Sequence, residues 1–467
     1  MAEGGGISTY IGTRGAATVL AVVALATGAL LAPVITGGGG GDTVTCNQTA
    51  ANSSQLSSAL SAASNGQTVC LTAATTYSIP DTTKAVTIIS QSGTGAKDPV
   101  NNSVSLDIRS SDANWTLDGG MTSWGSGWTF GANDVVTAGP GTGLTITGAL
   151  IRDSPSNITI RNFKSTGCGS PSSPTHGCRV WTSDPSPLNA NITIERGVFY
   201  NIHSGEAALY FDDNSAPGCG DSGITIRDSY FVSLVNDGIK LSGCDRVHVV
   251  DNKFYKMHCT LAGWTLSQCN ADAPGTNHTD SIQYIADNHE ILGNWVKDSE
   301  QCIFGDDDSG GNLIEGNVLD DCTSHWITIA ADSPTSTVKF NTIAQTTGDF
   351  IPPQIDCGGT DASTPVSTTI ITDNVAQRVS TAGSPTCVPT TNTRNMCISS
   401  CGAGNFTGTP DYAGYDAHAS IAAFDDFADF CLKPTSTGYS SGLGGAQVGA
   451  CGPNYGVTYD GAPSGGF

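Results

Sequence analysis

The fold is decided by residues 223–241, Gly223-Ile-Thr-Ile-Arg-Asp-Ser-Tyr-Phe-Val-Ser-Leu-Val-Asn-Asp-Gly-Ile-Lys-Leu. Apolar and polar residues alternate in two short runs separated by small polar turn residues, which is typical of strands with one buried face. Related phrases recur through residues 157–343, roughly every 20 to 43 residues. They include Asn157-Ile-Thr-Ile, Asn191-Ile-Thr-Ile, Arg246-Val-His-Val-Val-Asp-Asn-Lys-Phe, Asn288-His-Glu-Ile-Leu-Gly-Asn-Trp-Val and Asn312-Leu-Ile-Glu-Gly-Asn-Val-Leu. A repeat this short cannot bury its apolar face alone, so the copies must stack. The pattern predicts an all-β chain folded as a single-stranded, right-handed parallel β-helix.

The chain divides by composition into four parts. We expect a signal peptide or membrane anchor with a Gly linker in residues 1–45, an N-terminal cap in 46–80, the parallel β-helix in 81–395, and an irregular, disulfide-rich C-terminal cap in 396–467. The leader contains an uncharged apolar stretch, and small residues near Ala29 and Ala32 favour cleavage by signal peptidase. A retained membrane anchor is the alternative, because about 20 apolar residues span a bilayer.

The N-terminal cap contains a predicted helix. Residues 54–64 have helical apolar spacing and end at Asn65-Gly66, a stop signal, before a first strand at 67–72. An amphipathic helix would cover the open end of the coil stack, which otherwise invites pairing with other chains.

The overall charge and the cysteines restrict the function. A net charge of −23 with 19 Lys and Arg argues against nucleic acid as a partner, since no basic field is present. An anionic polymer would have to meet a local basic patch or a bound cation. Sixteen cysteines and the leader indicate a secreted protein, attached to a membrane only if the leader is kept. We expect a monomer. The chain contains no Cys-x-x-Cys pair, which argues against a structural zinc site. Pairing nearest neighbours predicts Cys46–Cys70, Cys168–Cys178, Cys219–Cys244, Cys259–Cys269, Cys302–Cys322, Cys357–Cys387, Cys397–Cys401 and Cys431–Cys451.

The second strands of the coils carry the candidate site. Equivalent strands of successive coils lie about 4.8 Å apart, so aligning them on their inward apolar residue predicts outward columns. The first column is His176, Glu206, Asp237, Asp280, Glu300 and His325. The column three residues further on is Arg179, Leu209, Lys240, Gln283, Ile303 and Thr328. In this alignment the apolar residues Leu209 and Ile303 face outward. The register of the two strands that carry them can therefore be shifted by one residue, which would move each side chain to the opposite face of the sheet.

Carboxylates on consecutive rungs repel each other unless some are protonated or a cation lies among them. Ca²⁺ suits such oxygen ligands, and an exposed acidic ladder without a ligand is the alternative. Lys240 stands out in a chain with few cations, although a surface lysine paired with an acid is the plainer interpretation. His278 lies at the edge of the longest insertion, residues 256–277, which we expect to form one wall of a groove.

The phrases Asn236-Asp-Gly-Ile-Lys and His278-Thr-Asp-Ser-Ile-Gln, with the cap and the groove, resemble the β-helix polysaccharide lyases, including alginate lyases, chondroitinase B and pectate lyases. The resemblance covers roughly residues 46–450. It implies β-elimination in an acidic, uronate-containing polysaccharide. The implied catalytic residues are Lys240 as base, His278 or Arg179 as acid or substrate clamp, and His325. The implied calcium ligands are Glu206, Asp237, Asp280 and Glu300. The implied substrate-binding residues are Gln283, Arg246 and Tyr284.

Two other functions remain open at this stage. Thr279-Asp280, Glu300-Gln301 and Ser324-His325-Trp326 occupy places comparable to the motifs of polygalacturonase-type glycoside hydrolases, but Gln301 stands where those enzymes have a second Asp. A non-catalytic surface adhesin with the same fold is the third interpretation, because fold alone does not define function.

Overall fold

The computed structural model describes most of the chain after the leader. The described residues are 43–96, 100–120, 129–130, 136–138, 143–166, 180–183, 191–200, 202, 207–211, 223–258, 279–305, 309–329, 335–344, 353–357, 368–380, 389–399, 401–410, 412, 430–441 and 448–451. Residues 41–467 form one compact unit.

Each coil contributes strands to three parallel sheets, here named A, B and C in the order in which the chain visits them. Sheet A contains β2 Gln48–Ala50, β3 Thr68–Leu71, β5 Thr87–Ser90, β8 Thr116–Asp118, β16 Ile224–Arg227, β19 His248–Val250, β22 Glu290–Leu292, β24 Leu313–Glu315, β26 Thr337–Lys339, β29 Ile370–Thr372 and β32 Thr391–Thr393. Sheet B contains β4 Thr76–Ser78, β17 Tyr230–Val232, β20 Lys253–Met257, β27 Thr342–Ala344, β30 Val375–Ala376, β33 Met396–Cys397 and β34 Phe406–Thr407. Sheet C contains β13 Trp181–Ser183, β15 Ala207–Phe211, β18 Asp237–Leu241, β21 Asp280–Tyr284, β28 Gln354–Cys357 and β31 Arg378–Ser380.

Six longer strands continue around a corner and belong to two sheets. Those that pass from A to B are β12 Ile158–Thr166 and β14 Ile192–Tyr200. Those that pass from B to C are β7 Asn102–Ile108, β11 Leu144–Ile151, β23 Trp295–Gly305 and β25 Val318–Ile329. Two short antiparallel pairs lie outside the coil stack: β1 Thr43–Val44 with β6 Gly95–Ala96, and β9 Thr129–Phe130 with β10 Val136–Ala138. The predicted parallel β-helix is confirmed.

The predicted N-terminal helix is also confirmed, as α1, Ser53–Ala62. Its N-cap residue Asn52 accepts a hydrogen bond from the N–H of Gln55 at 2.9 Å, which satisfies one of the free donors of the first turn. Leu56 and Leu60 bury the apolar face against the first coils. The chain leaves the helix through Gly66, whose φ of +82° needs a residue without a Cβ.

Side chains of the same residue type stack on one another along the interior of the β-helix. The rings of Phe199, Phe231 and Phe254 lie 4.6 and 4.7 Å apart at almost parallel angles. On sheet C, Ile239, Ile282 and Ile303 are paired in register and fully buried. Each coil therefore buries its apolar face only against the coils above and below, as the repeat length requires.

An asparagine ladder fixes the corner between sheets A and B. The side-chain amide of each ladder asparagine donates to the side-chain oxygen of the next at 2.8 to 3.1 Å. The members are Asn252, Asn294, Asn317, Asn341, Asn374, Asn395 and Asn405. The residue before each has a positive φ, which Gly, Asp and Asn tolerate best. The prediction that each repeat turns at an Asn or a small polar residue is confirmed for these coils, where that residue is an Asn.

Four of the eight predicted disulfides are confirmed: Cys46–Cys70, Cys302–Cys322, Cys397–Cys401 and Cys431–Cys451. Cys244 and Cys357 are also disulfide-bonded. Their predicted partners Cys219 and Cys387, and the predicted pairs Cys168–Cys178 and Cys259–Cys269, lie outside the described residues. The disulfides fit an extracellular protein.

The C-terminal segment, residues 430–441 and 448–451, packs on the outer face of sheet B. Phe430 lies edge-to-face with Trp295 at 6.0 Å between ring centroids. The backbone N–H of Ala450 donates to Oγ1 of Thr342, and that of Gly449 donates to the carbonyl of Asp373. The outer row of sheet B is thereby buried. In the part of the chain that the structure describes, no helix is long and apolar enough to cross a membrane.

Candidate functional site

The outer face of sheet C has an unusual pleat at its corner with sheet B. A Cβ on Gly238 would lie 3.0 Å from the Phe254 ring and 3.1 Å from Met257, and both of these side chains are fully buried. Gly238 and the buried Ile239 thus face inward together. Asp237 and Lys240, which flank them, lie on the outer side. This pleat brings the two predicted columns onto one face although they are three residues apart.

The observed pairing corrects the first column. Asp237 pairs with Ala207, and Asp280 pairs with Gln301, which in turn pairs with His325. The prediction that Glu300 stacks on Asp280 is wrong, because Ile282 pairs with Ile303 and not with Cys302, which places Gln301 beside Asp280. A bulge on the next strand, β25, adds a residue between Cys322 and His325. Ala207 takes the place predicted for its neighbour Glu206, which lies outside the described residues.

The second column is corrected at the two rungs expected to slip. It contains Thr182, Tyr210, Lys240, Gln283, Phe304, Thr328 and Asp356. Leu209 and Ile303, predicted to face outward, are fully buried in the core. The central pairing of Lys240 with Gln283 is as predicted.

Asp237 and Asp280 are direct neighbours on adjacent rungs. Oδ1 of Asp237 accepts a hydrogen bond from the backbone N–H of Asp280 at 2.9 Å. Both carboxylates are shielded from solvent, at 6% and 0% exposure. Lys240 is half-buried, with Nζ 5.7 Å from the centroid of the Tyr210 ring. A cationic group and two carboxylates therefore share this part of the face.

A second group of side chains surrounds Phe304. His325 lies edge-to-face with Phe304 at 5.4 Å, and its Nδ1 is 3.4 Å from Oγ1 of Thr328. Asp356 follows Thr328 on the next rung. Burial raises the pKa of Asp356, opposed by a hydrogen bond from Ser380 and by the charge of His325. An aromatic ring thus lies among hydrogen-bonding groups on the floor of the face.

The sequence interpretation missed His258. Its Nε2 lies 3.8 Å from Oε2 of Glu300, and the same oxygen accepts a hydrogen bond from the N–H of Thr279 at 3.2 Å. Burial lowers the pKa of His258, which favours the neutral imidazole. A signal was available, because His258 lies near the start of the insertion at 256–277 and His278 directly follows its end.

Two predicted substrate contacts lie elsewhere. Tyr284 is fully buried, and its hydroxyl donates to the carbonyl of Thr328 at 3.1 Å, so the expectation that it touches substrate is wrong. Arg246 is exposed at the turn from sheet C to sheet A, with a φ of 55°, and does not lie on the outer face of sheet C. The predicted residues His176, Arg179, Glu206 and His278 lie outside the described residues.

The described residues do not by themselves fit a calcium site. No group of three or more His, Cys, Asp or Glu side chains is arranged among them to hold a metal ion. Calcium bound by Glu206, Asp237, Asp280 and Glu300 stays a prediction.

No protein-family model matches the chain, and no curated protein matches it in sequence. Among solved structures, the chain is similar to a PL6 family alginate lyase, AlyGC, with 11% identity over 78% of this chain and 53% of that chain, and a TM-score of 0.31. A mannuronic acid specific polysaccharide family 6 lyase from human gut microbiota gives 10% identity over 79% and 92% of the two chains, with a TM-score of 0.33. A PL6 alginate lyase in complex with a trisaccharide gives 10% identity over 79% and 88%, with a TM-score of 0.32. The chain spans about half the length of the first of these.

These matches are to polysaccharide lyases, the class that the sequence was expected to resemble. The parallel β-helix itself is established by the strand pairing of this chain.

Proposed function

We propose that the protein is a secreted polysaccharide lyase that cleaves an acidic, uronate-containing polysaccharide on the outer face of sheet C. The observation that carries this proposal is the position of Lys240, which lies beside Gln283 and on the same face as Asp237 and Asp280. In a chain with only 19 Lys and Arg, an amine on the outer side of this sheet is a group that can take the proton from C5 of a uronate. The similar solved structures include alginate lyases, which supports an alginate-like substrate as the first to test.

The reaction requires a base and an acid. The amine of Lys240 takes the proton from C5 of the uronate, and the electron pair of that C–H bond forms the C4=C5 double bond. The C4–O4 bond breaks, and O4 leaves with a proton from a general acid. A lysine that acts as a base must be neutral when it accepts the proton. We assign the acid to His278 from its sequence position, since this residue lies outside the described part of the chain.

The hydrolase alternative is weakened by the observed register. Gln301 pairs with Asp280 at the position where a polygalacturonase-type enzyme needs its second carboxylate. Glycoside hydrolysis uses two carboxyl groups with separate roles, and an amide performs neither of them. The adhesin alternative predicts no turnover at all.

Ultraviolet absorbance of the unsaturated product tests the proposal on alginate, pectate and chondroitin. Absorbance indicates a lyase, and new reducing ends without absorbance indicate a hydrolase. The absence of both products indicates a non-catalytic protein.

We expect Lys240→Arg to keep the charge and the fold but to lower turnover at least about 100-fold, because arginine does not give up its proton. Lys339→Ala is the matched control, since Lys339 pairs with Glu315 on sheet A, where ion pairs of this kind contribute little. Full activity of the Lys240→Arg protein would remove Lys240 as the base.

A further inference from the structure

Two buried glutamines on the outer face of sheet C have incomplete hydrogen bonding. Gln283 and Gln301 are 3% and 6% exposed. The side-chain oxygen of each has no hydrogen-bond partner among the described residues. Most buried polar atoms in native proteins are paired, because an unpaired acceptor loses its bond to water without replacement. Neither amide oxygen is needed by the β-helix itself, so a donor from outside the fold is the natural complement.

The two glutamines border one aromatic ring. Gln283 pairs with Phe304 on the adjacent rung, and Gln301 lies on the same strand as Phe304, three residues before it. The ring of Phe304 is held from one side by the edge-to-face contact with His325. The two acceptors and the ring therefore occupy neighbouring positions on one face.

A third acceptor lies further along the same column. Asp356 is two rungs beyond Phe304, through Thr328. Its carboxylate accepts from Ser380 and, through Oδ2, from the amide of Gln354 at 3.3 Å, whereas Oδ1 has no partner among the described residues. From Gln283 to Asp356 the column covers three rung spacings, about 14 Å. That length suits an extended ligand better than a single ion.

The chemistry of this patch matches a sugar ring. A pyranose presents a flat face of C–H groups and a rim of hydroxyl donors, and binding sites commonly combine an apolar surface with a few placed polar groups. The amide oxygens accept from hydroxyls and give no attraction to a carboxylate. Asp356 would repel a carboxylate placed against it. The patch therefore favours hydroxyls over a carboxylate.

We propose that the outer face of sheet C from Gln283 to Asp356 is a sugar-binding subsite, in which a sugar ring stacks on Phe304 and its hydroxyls donate to Gln283, Gln301 and Asp356. The inference rests on the proposed function, which lays the polysaccharide along the outer face of sheet C. It adds that this end of the face binds the sugar unit next to the one at Lys240. The uronate unit that loses its C5 proton lies at Lys240, and the neighbouring sugar unit is recognised by its hydroxyls.

The test compares two glutamine-to-methionine variants that differ only in whether the amide is satisfied. Gln301→Met removes an unpartnered acceptor and keeps the volume, so we expect the melting temperature to rise by about 1 °C or more. Gln354→Met is the matched control, equally buried but with both amide atoms bonded, to Arg378 at 2.6 Å and to Asp356 at 3.3 Å. We expect its melting temperature to fall. A fall in the Gln301→Met protein as well would show a hidden donor and overturn the inference.

Binding is measured separately from turnover. Tetrasaccharides from alginate, pectate and chondroitin are titrated calorimetrically into the Lys240→Arg protein, with and without Gln301→Met, so that the sugar is not consumed. We expect Gln301→Met to weaken binding of the best tetrasaccharide at least about tenfold. Phe304→Leu, which keeps an apolar side chain but loses the flat ring, provides a second variant with the same expected direction. Unchanged affinity in both variants, or no binding of any tetrasaccharide, would overturn the subsite.

The outcomes separate this inference from the proposed function. A protein that gives no unsaturated product but loses sugar binding on Gln301→Met retains the subsite and loses the lyase assignment. A protein that gives unsaturated product but binds sugar equally well in both variants retains the lyase assignment and loses the subsite.

Discussion

Replacing Asn317 by alanine tests the asparagine ladder where it is most completely bonded. Asn317 is fully buried and accepts from the backbone N–H and the side-chain amide of Asn294 at 2.9 and 3.0 Å. It also donates to the carbonyl of Ile291 and to the side-chain oxygen of Asn341, each at 2.9 Å. Four buried hydrogen bonds at about 1 kcal/mol each give an expected loss of about 4 kcal/mol. Water cannot replace them, because the corner is closed.

The matched control for Asn317 is Asn405→Ala at the end of the ladder. Asn405 makes a comparable set of bonds, to Asn395, Asn392 and Cys401, but is half-exposed. Water can replace those bonds, so we expect a loss of only about 1 kcal/mol. Urea denaturation gives the overall change. Amide hydrogen exchange at residues 288–320 gives the local opening free energy, which remains defined if the solenoid does not unfold in one step. Equal losses in the two variants would refute the reasoning that burial sets the cost.

Three further predictions concern pH, the core and the metal. Burial lowers the pKa of His289 to about 3, and its Nδ1 accepts from the N–H of Val247, so the folded protein keeps this imidazole neutral. The unfolded chain binds the proton near pH 6.5. The His289 contribution, at most about 5 kcal/mol, is therefore present above pH 6.5 and lost as the pH falls towards 3. Denaturation midpoints from pH 7 to 4 should fall less in His289→Asn, and parallel curves would contradict this. Tyr284→Phe should lower the free energy of unfolding by about 1 kcal/mol through the lost hydrogen bond to Thr328. Turnover should not change, because the ring lies inside the core, and altered turnover would place Tyr284 near the substrate. A chelator should abolish activity and added Ca²⁺ should restore it; activity that survives the chelator would remove Asp280 as a calcium ligand.

The sequence was sufficient to predict the strand pairing wherever two coils carry phrases of the same spacing. Asp237-Gly-Ile-Lys and Asp280-Ser-Ile-Gln align without a gap, and Lys240 pairs with Gln283 as expected. The Asn residues at the turns were visible in the sequence, whereas the hydrogen-bonded ladder between them depends on how the coils stack.

The errors arose at the corner between sheets B and C. Cys302 and Ile303 are both apolar and both buried, so alternation does not reveal which of them pairs with Ile282, and Glu300 was placed where Gln301 lies. Tyr284 was misassigned for another reason. It follows Ile282 by two residues, so alternation alone would have placed it inside the core. The contact of His258 with Glu300 joins residues 42 positions apart and depends on folded geometry.

The attachment of the C-terminal segment has a mechanical consequence. Because Ala450 is bonded to Thr342, 108 residues earlier in the chain, and Gly449 is bonded to Asp373, tension on the C-terminal tail reaches the solenoid at these residues and not at its last rung. An unfolding machine that grips this tail must first peel the segment from sheet B, shearing Phe430 away from Trp295, before any rung can be drawn off. The final coils therefore do not bear the pulling force until the C-terminal segment, which follows them in the chain, has detached from sheet B.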